Sequence, residues 1–124
     1  MIKNDITDRR DIEKMVNLFY EKIKQDELIG YIFNDIVKVD WNKHLPVMYD
    51  FWEGVIFYTG SYTGNPMITH RKLNLVVSLT PEHFKRWLLL FQQTIDENFE
   101  GEKAELARQR ALSIAMVMQL KLAN

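Results

Sequence analysis

The sequence TPEHFKRWLLLFQQTIDENFEG, residues 80–101, contains the signals that predict the start, the length and the end of one amphipathic helix. Thr80 is a capping hydroxyl, and Pro81 suits the first helical position because a proline there leaves no N–H unbonded. Gly101 is a stop signal. Between them, apolar side chains recur at helical spacing at Phe84, Trp87, Leu88, Phe91, Ile95 and Phe99. The stretch therefore predicts a helix of about five turns, with one broad apolar face for other helices to cover.

Two further helices are predicted on either side of this stretch. Thr7 and Asp8 are candidate caps for a helix over about residues 8–25. Its apolar positions are Ile12, Met15, Val16, Phe19 and Ile23. After Gly101, similar spacing predicts a final helix that reaches almost to Asn124.

A fourth helix precedes the central stretch, and Pro46 makes its start ambiguous. Its apolar stripe consists of Trp41, Leu45, Met48, Phe51, Trp52, Val55 and Ile56. Pro46 fits the first turn of a helix and disfavours helical backbone at Leu45. We therefore expect His44 just before, or at, the start of this helix.

The remaining segments are predicted to be loops. Gly60, Gly64, Asn65 and Pro66 lie too close together for a regular element between them, so residues 59–79 are expected to be mostly loop. A shorter loop-rich stretch follows Gly30. No long segment alternates polar and apolar residues, so the predicted fold class is all-α.

Composition excludes several classes of protein. The chain has 124 residues, with 16 Lys+Arg against 17 Asp+Glu, so one domain over 1–124 is expected and no basic field favours nucleic acid. No apolar run is long enough to span a bilayer, and the N-terminus lacks a secretory h-region, which makes a cytoplasmic location the expectation. The absence of cysteine excludes disulfides and thiolate chemistry.

Motifs for the commoner kinds of catalytic or metal site are also missing. No histidine has a glutamate three residues before it, and His-Glu-x-x-His is absent, so neither a di-metal carboxylate bundle nor a zincin site is indicated. No glycine-rich phosphate loop is present. His44, His70 and His83 remain as candidate ligands. On spacing alone, each of them fits a hydrogen-bonding or exposed residue better than a metal ligand.

The order of the aromatic and histidine residues is similar to that of the group III truncated haemoglobins, within the protozoan/cyanobacterial-type truncated globin family. The resemblance runs from about Ile12 to Gln119, without the Gly-Gly pairs of the other two groups. It rests on Phe19-Tyr20, Phe33, Trp41-Asn-Lys-His44, Met48, Phe51-Trp52, Tyr62-Thr-Gly-Asn-Pro-Met-Ile-Thr-His70 and Phe84-Lys-Arg-Trp87. It implies a truncated globin-like fold, a short helical sandwich with a loop-rich segment before the proximal histidine.

The same resemblance implies haem b (iron protoporphyrin IX) and assigns roles to particular residues. His70 becomes the ligand of the haem iron. Tyr20 and Trp87 become distal hydrogen-bond donors to a diatomic ligand, and His44 takes the distal histidine position.

The resemblance also implies which residues border the haem and which cations pair with its propionate groups. The walls are Phe19, Phe33, Met48, Trp52 and Leu73, although aromatic residues at helical spacing are more often plain core. Arg71 and Lys72 become partners of the propionates, although adjacent basic residues on a loop are commonly just solvated.

Two functions from different classes follow. The first is a haem protein that binds O₂, NO and CO, and that could also support nitric oxide dioxygenase or weak peroxidase-like chemistry. Because the chain has no flavin or nicotinamide motif, turnover would need a separate reductase. The alternative is a haem-free all-α interaction module in which the 12% aromatic residues serve packing alone.

Overall fold

The computed structural model describes residues 3–36, 38–58 and 79–122. These ranges form four α-helices and no strand: α1 (Arg9–Gln25), α2 (Trp41–Phe57), α3 (Pro81–Asn98) and α4 (Glu102–Leu122). The all-α prediction is confirmed. None of the helices described is both long and apolar enough to cross a bilayer, and the cytoplasmic location stays a prediction.

Helix α1 follows the predicted boundaries closely. Asp8 caps it by accepting the N–H of Asp11, which satisfies one of the amides that a helix start leaves without a partner. Its buried side chains are Ile12, Met15, Val16, Phe19, Tyr20 and Ile23. Tyr20 thus widens the apolar stripe, and α1 is covered by helices on more than one side.

The stretch after α1 is more regular than the loop that we predicted. Asp26 accepts the N–H groups of Leu28 and Ile29, and a π-helical turn follows at Ile32–Ile36. A Cβ at Gly30 would lie 2.9 Å from the carbonyl oxygen of Ile23, so only glycine lets this backbone pack so close to α1.

Helix α2 begins earlier than Pro46 suggested. Asp40 caps it through the N–H of Asn42, and helix starts at Trp41. The His44 N–H donates to the Asp40 carbonyl at 2.8 Å, so His44 lies inside the first turn and the expectation that it precedes or opens the helix is corrected. The Asp40 cap therefore determines where α2 starts. Pro46 lacks an N–H, but this leaves only the carbonyl of Asn42 without its helical hydrogen bond.

Helix α3 starts at Pro81 as predicted and ends at Asn98, with Phe99 as its C-cap, before the predicted stop at Gly101. Its N-terminal cap explains His83. Thr80 accepts the N–H of His83, while His83 Nδ1 accepts the N–H of Thr80 at 3.0 Å. This reciprocal pair is a capping box, with histidine in the place that glutamate usually takes. His83 therefore has a structural role among the described residues.

The four helices pack around a core of aromatic side chains, and each helix contacts two others. Helix α1 lies against α2 and α3, and α4 lies against α3 and α2. At the centre, Trp52 of α2 stacks on Phe91 of α3 with ring centroids 4.7 Å apart, and Phe19 of α1 meets Phe91 edge-on at 5.2 Å. These contacts fix the relative positions of the three helices that carry the candidate site.

The N-terminal segment closes the turn between α3 and α4. Asp5 accepts the N–H groups of Lys103 and Ala104 at 3.0 and 2.8 Å, so it caps α4 from the far end of the chain. Gly101 has φ +144°, and a Cβ there would overlap the Asp5 carboxyl group. Glycine is required at this position by conformation and by space.

Replacing Asp5 with alanine should lower the free energy of unfolding by about 1 kcal/mol, because α4 then loses its capping carboxylate. Chemical denaturation measures this as a lower midpoint at unchanged slope. Asp35→Ala, which removes an exposed carboxylate, is the control and should leave the midpoint nearly unchanged. Equal midpoints for the two variants would contradict the capping role.

Candidate functional site

Tyr20 lies at the centre of a cluster of rings drawn from α1, α2 and the π-helical turn. Its side chain is 6% exposed. Its ring centroid lies 5.0 Å from that of Phe19, 5.2 Å from Trp41, 5.3 Å from His44 and 6.1 Å from Phe33. The structure thus brings together two of the three residues that the resemblance implied as distal, Tyr20 and His44.

The hydroxyl of Tyr20 is a donor kept in apolar surroundings. Within the parts of the chain described, it makes no hydrogen bond. Burial raises the pKa of the phenol above its ordinary value, since removing the ring from water disfavours the phenolate. At neutral pH the group is therefore a protonated phenol that can donate to a polar ligand.

Trp87 approaches the cluster from α3 and reaches it through Phe19. Its ring lies edge-on to Phe19 at 5.5 Å and stacks on Phe91 at 5.9 Å. Phe19 contacts both Tyr20 and Trp87, so the two predicted donors pack against one fully buried ring.

The predicted walls fall into two groups. Phe19 and Trp52 are fully buried and pack on Phe91 in the helical core. Phe33 and Met48 are half-buried at the edge of that core, with Phe33 stacked on Trp41 at 6.1 Å. The second pair is therefore better placed to border a bound group, while core packing alone accounts for the contacts of the first.

The predicted proximal side lies outside the described residues. It comprises His70, Arg71, Lys72 and Leu73. Their assignments stay predictions from the resemblance.

Trp41 and Phe91 are central to the cluster but were not singled out as site residues. Trp41 contacts Tyr20, Phe33 and His44, and Phe91 connects Phe19, Trp52 and Trp87. One signal pointed to Trp41: it stands three residues before His44, so the two share a helix face. In the sequence, Phe91 was recognisable only as one of the apolar positions on the predicted helix over residues 80–101.

Comparisons with known proteins agree with this arrangement. Residues 4–121 match the family model of the bacterial-like globins. The group 3 truncated haemoglobin ctb of Campylobacter jejuni is 30% identical over 121 residues, which are 95% of this chain and 93% of the relative. The crystal structure of group III truncated haemoglobin from Campylobacter jejuni superposes with a TM-score of 0.85 over 98% of this chain and 95% of that one.

The family model covers nearly the whole chain, and the relative is similar in both sequence and fold over the same extent. A globin of this kind carries haem and binds diatomic gases. The chain belongs to the bacterial-like globins and, within them, to the group III truncated haemoglobins.

Proposed function

We propose that this protein is a single globin-like domain that holds haem b and binds O₂, NO or CO, with His70 as the ligand of the iron. The observation that carries the proposal is the place of Tyr20, a side chain 6% exposed at the centre of the ring cluster, whose hydroxyl makes no hydrogen bond within the described ranges. A phenol O–H in such surroundings can donate a hydrogen bond to a polar ligand.

The described residues fit a haem group. An apolar macrocycle needs apolar borders, which the half-buried Phe33 and Met48 offer beside the Tyr20 cluster. A polar gas ligand needs a donor held close by, which Tyr20 offers. The haem-free alternative is not favoured, because the chain belongs to a globin family.

The roles of the side chains follow from their chemistry. Haem iron supplies the coordination position for a diatomic gas. Tyr20 donates a hydrogen bond to the gas through its O–H, and Trp87 and His44 add N–H donors from the sides of the pocket. The surrounding aromatic rings exclude water, which strengthens these hydrogen bonds by lowering the local dielectric. Arg71 and Lys72 are proposed as partners of the propionates.

Nitric oxide dioxygenase or weak peroxidase-like activity would use the same pocket. Either activity needs electrons, and the chain carries no flavin or nicotinamide motif. A separate reductase is therefore part of that proposal.

Reconstitution with haemin tests the proposal. The reconstituted protein should acquire a Soret band, and the pyridine haemochrome of the protein as isolated should have the spectrum of haem b. His70→Gly should abolish the native axial ligation, seen as a changed Soret position in the ferrous and CO-bound forms, because glycine provides no imidazole.

His83→Ala is the matched control. It also removes one histidine, but that histidine closes the capping box of α3, so the spectrum should be unchanged. A protein that gives no Soret band would refute haem binding. Identical spectra for the parent and His70→Gly would refute His70 as the ligand.

A further inference from the structure

Trp41 is the ring that contacts both Tyr20 and His44, two of the three proposed donors of the pocket. Its centroid lies 5.2 Å from that of Tyr20 and 5.7 Å from that of His44, and both rings are steeply inclined to the indole. Phe33 stacks on it at 6.1 Å. A movement of the indole would therefore displace both donors together, because each packs directly against it.

The start of α2, where Trp41 and His44 lie, is held by different contacts from those of the rest of that helix. From the midpoint of α2 onward, the Tyr49 hydroxyl donates to Asn17, and Arg9 pairs with Asp50 at 2.8 Å and Glu53 at 3.1 Å. Before it, Pro46 provides no N–H for the carbonyl of Asn42. Ring packing thus adds to the hydrogen bonds from Asn42 and His44 to Asp40 in positioning this first turn.

Lys24 fixes the indole from the side of α1. Its ammonium lies 4.6 Å from the centroid of the Trp41 ring, a distance at which a cation is attracted to the face of tryptophan. The backbone of Lys24 is itself held, since its carbonyl accepts the Asn34 side-chain amide at 3.0 Å. Glu21 pairs with the same ammonium at 3.2 Å and keeps it close to α1.

We propose that Trp41 is a positioning residue of the ligand pocket: held by the Lys24 ammonium, its indole fixes the orientations of Tyr20 and His44 and so sets how strongly they bind a gas ligand. The inference rests on the proposed function. It adds Trp41 and Lys24, which act on the gas ligand only through Tyr20 and His44. Neither Trp41 nor Lys24 has to touch the ligand.

The test compares Lys24→Met with Lys24→Arg and Lys22→Met in the haem-loaded protein. Methionine keeps most of the length of the side chain and removes the charge, whereas arginine restores a cation. Lys22 is the matched control, because its side chain is 29% exposed like that of Lys24 but pairs with Glu97 instead of a ring.

Lys24→Met should change the O₂ dissociation rate about twofold to fivefold, the range expected from losing an exposed cation–π contact. The stretching frequency of CO bound to the reduced protein should shift with it, since that frequency reports the donors near the ligand. Lys24→Arg should restore both values, and Lys22→Met should leave both unchanged. Equal changes in Lys24→Met and Lys22→Met would overturn the proposal.

A second readout does not depend on haem. With ¹³C-labelled tyrosine, the ring resonances of Tyr20 should move in Lys24→Met and move further in Trp41→Phe, and they should stay in place in Lys22→Met. If the protein took up no haem, the proposed function would fail while this measurement still tested the ring contact. Unmoved Tyr20 resonances in Trp41→Phe would overturn the positioning role.

Discussion

Tyr20→Phe is expected to raise the O₂ dissociation rate about tenfold, the factor that corresponds to a lost hydrogen bond of about 1.4 kcal/mol. Phenylalanine keeps the ring, and so keeps the contacts with Phe19, Trp41 and His44. It removes only the hydroxyl. Because that hydroxyl makes no hydrogen bond within the described residues, its loss leaves no described partner unsatisfied, and the folded protein should be no less stable.

The measurement is stopped-flow replacement of O₂ by CO in the parent and the variant. Tyr49→Phe is the matched control, because the Tyr49 hydroxyl donates to Asn17 between α1 and α2 rather than into the ring cluster. Its off-rate should match that of the parent. An unchanged off-rate in Tyr20→Phe would show that Tyr20 does not donate to the ligand.

Asp26→Ala is expected to lower the free energy of unfolding by about 3 kcal/mol, the largest stability change among the substitutions considered, because a buried carboxylate loses several partners at once. The Asp26 side chain is 3% exposed. It accepts the N–H groups of Leu28 and Ile29, both at 3.0 Å, and Arg86 Nε at 2.6 Å. The Arg86 side chain is 40% exposed, so water can solvate the guanidinium after the change, which limits the loss.

The effect should depend on pH. Burial by itself raises the pKa of Asp26, but the hydrogen bonds from Arg86, Ile29 and Leu28 together outweigh it, so the pKa in the folded protein is lowered. The stabilisation by Asp26 is therefore complete above the unfolded-state pKa of about 3.9 and disappears as the pH falls through the lower folded-state value. The difference in stability between parent and variant should therefore become smaller as the pH falls.

Urea titrations at pH 7 and at pH 3 measure both predictions. Glu97→Ala is the control for a surface pair, since the Glu97 side chain is 59% exposed and binds Lys22. It should cost less than about 1 kcal/mol at either pH. A loss in Asp26→Ala no larger than in this control, or one that does not diminish toward pH 3, would contradict the role assigned to Asp26.

Local sequence signals predicted the parts of the fold that local interactions determine. The caps at Asp8 and Thr80 lie within three residues of the amides that they bind, so both helix starts could be read directly. The start of α2 was misjudged because Pro46 is a visible signal, whereas the capping strength of Asp40 depends on the backbone conformation before Trp41. The π-helical turn at Ile32–Ile36 needs Gly30 to approach α1, which is a tertiary contact.

The same distinction between local signals and tertiary contacts applies to the candidate site. Tyr20 and His44 were found through the family resemblance, and their contact depends on α1 crossing α2, which a single sequence does not show. Trp41 was missed as a site residue because its importance comes from Lys24, Phe33 and Tyr20 meeting on one ring. The assignments to His70, Arg71, Lys72 and Leu73 stay predictions.

The carboxylate of Asp5 connects positions separated by almost the entire chain, since its partners are the amides of residues 98 and 99 positions further along. Closing so long a loop costs conformational entropy that increases with loop length. The contact should therefore form late in folding and open early under native conditions. In native-state hydrogen exchange, the amides of Lys103 and Ala104 should exchange together as the N-terminal segment detaches, so the first turn of α4 belongs to the same opening unit as the beginning of the chain.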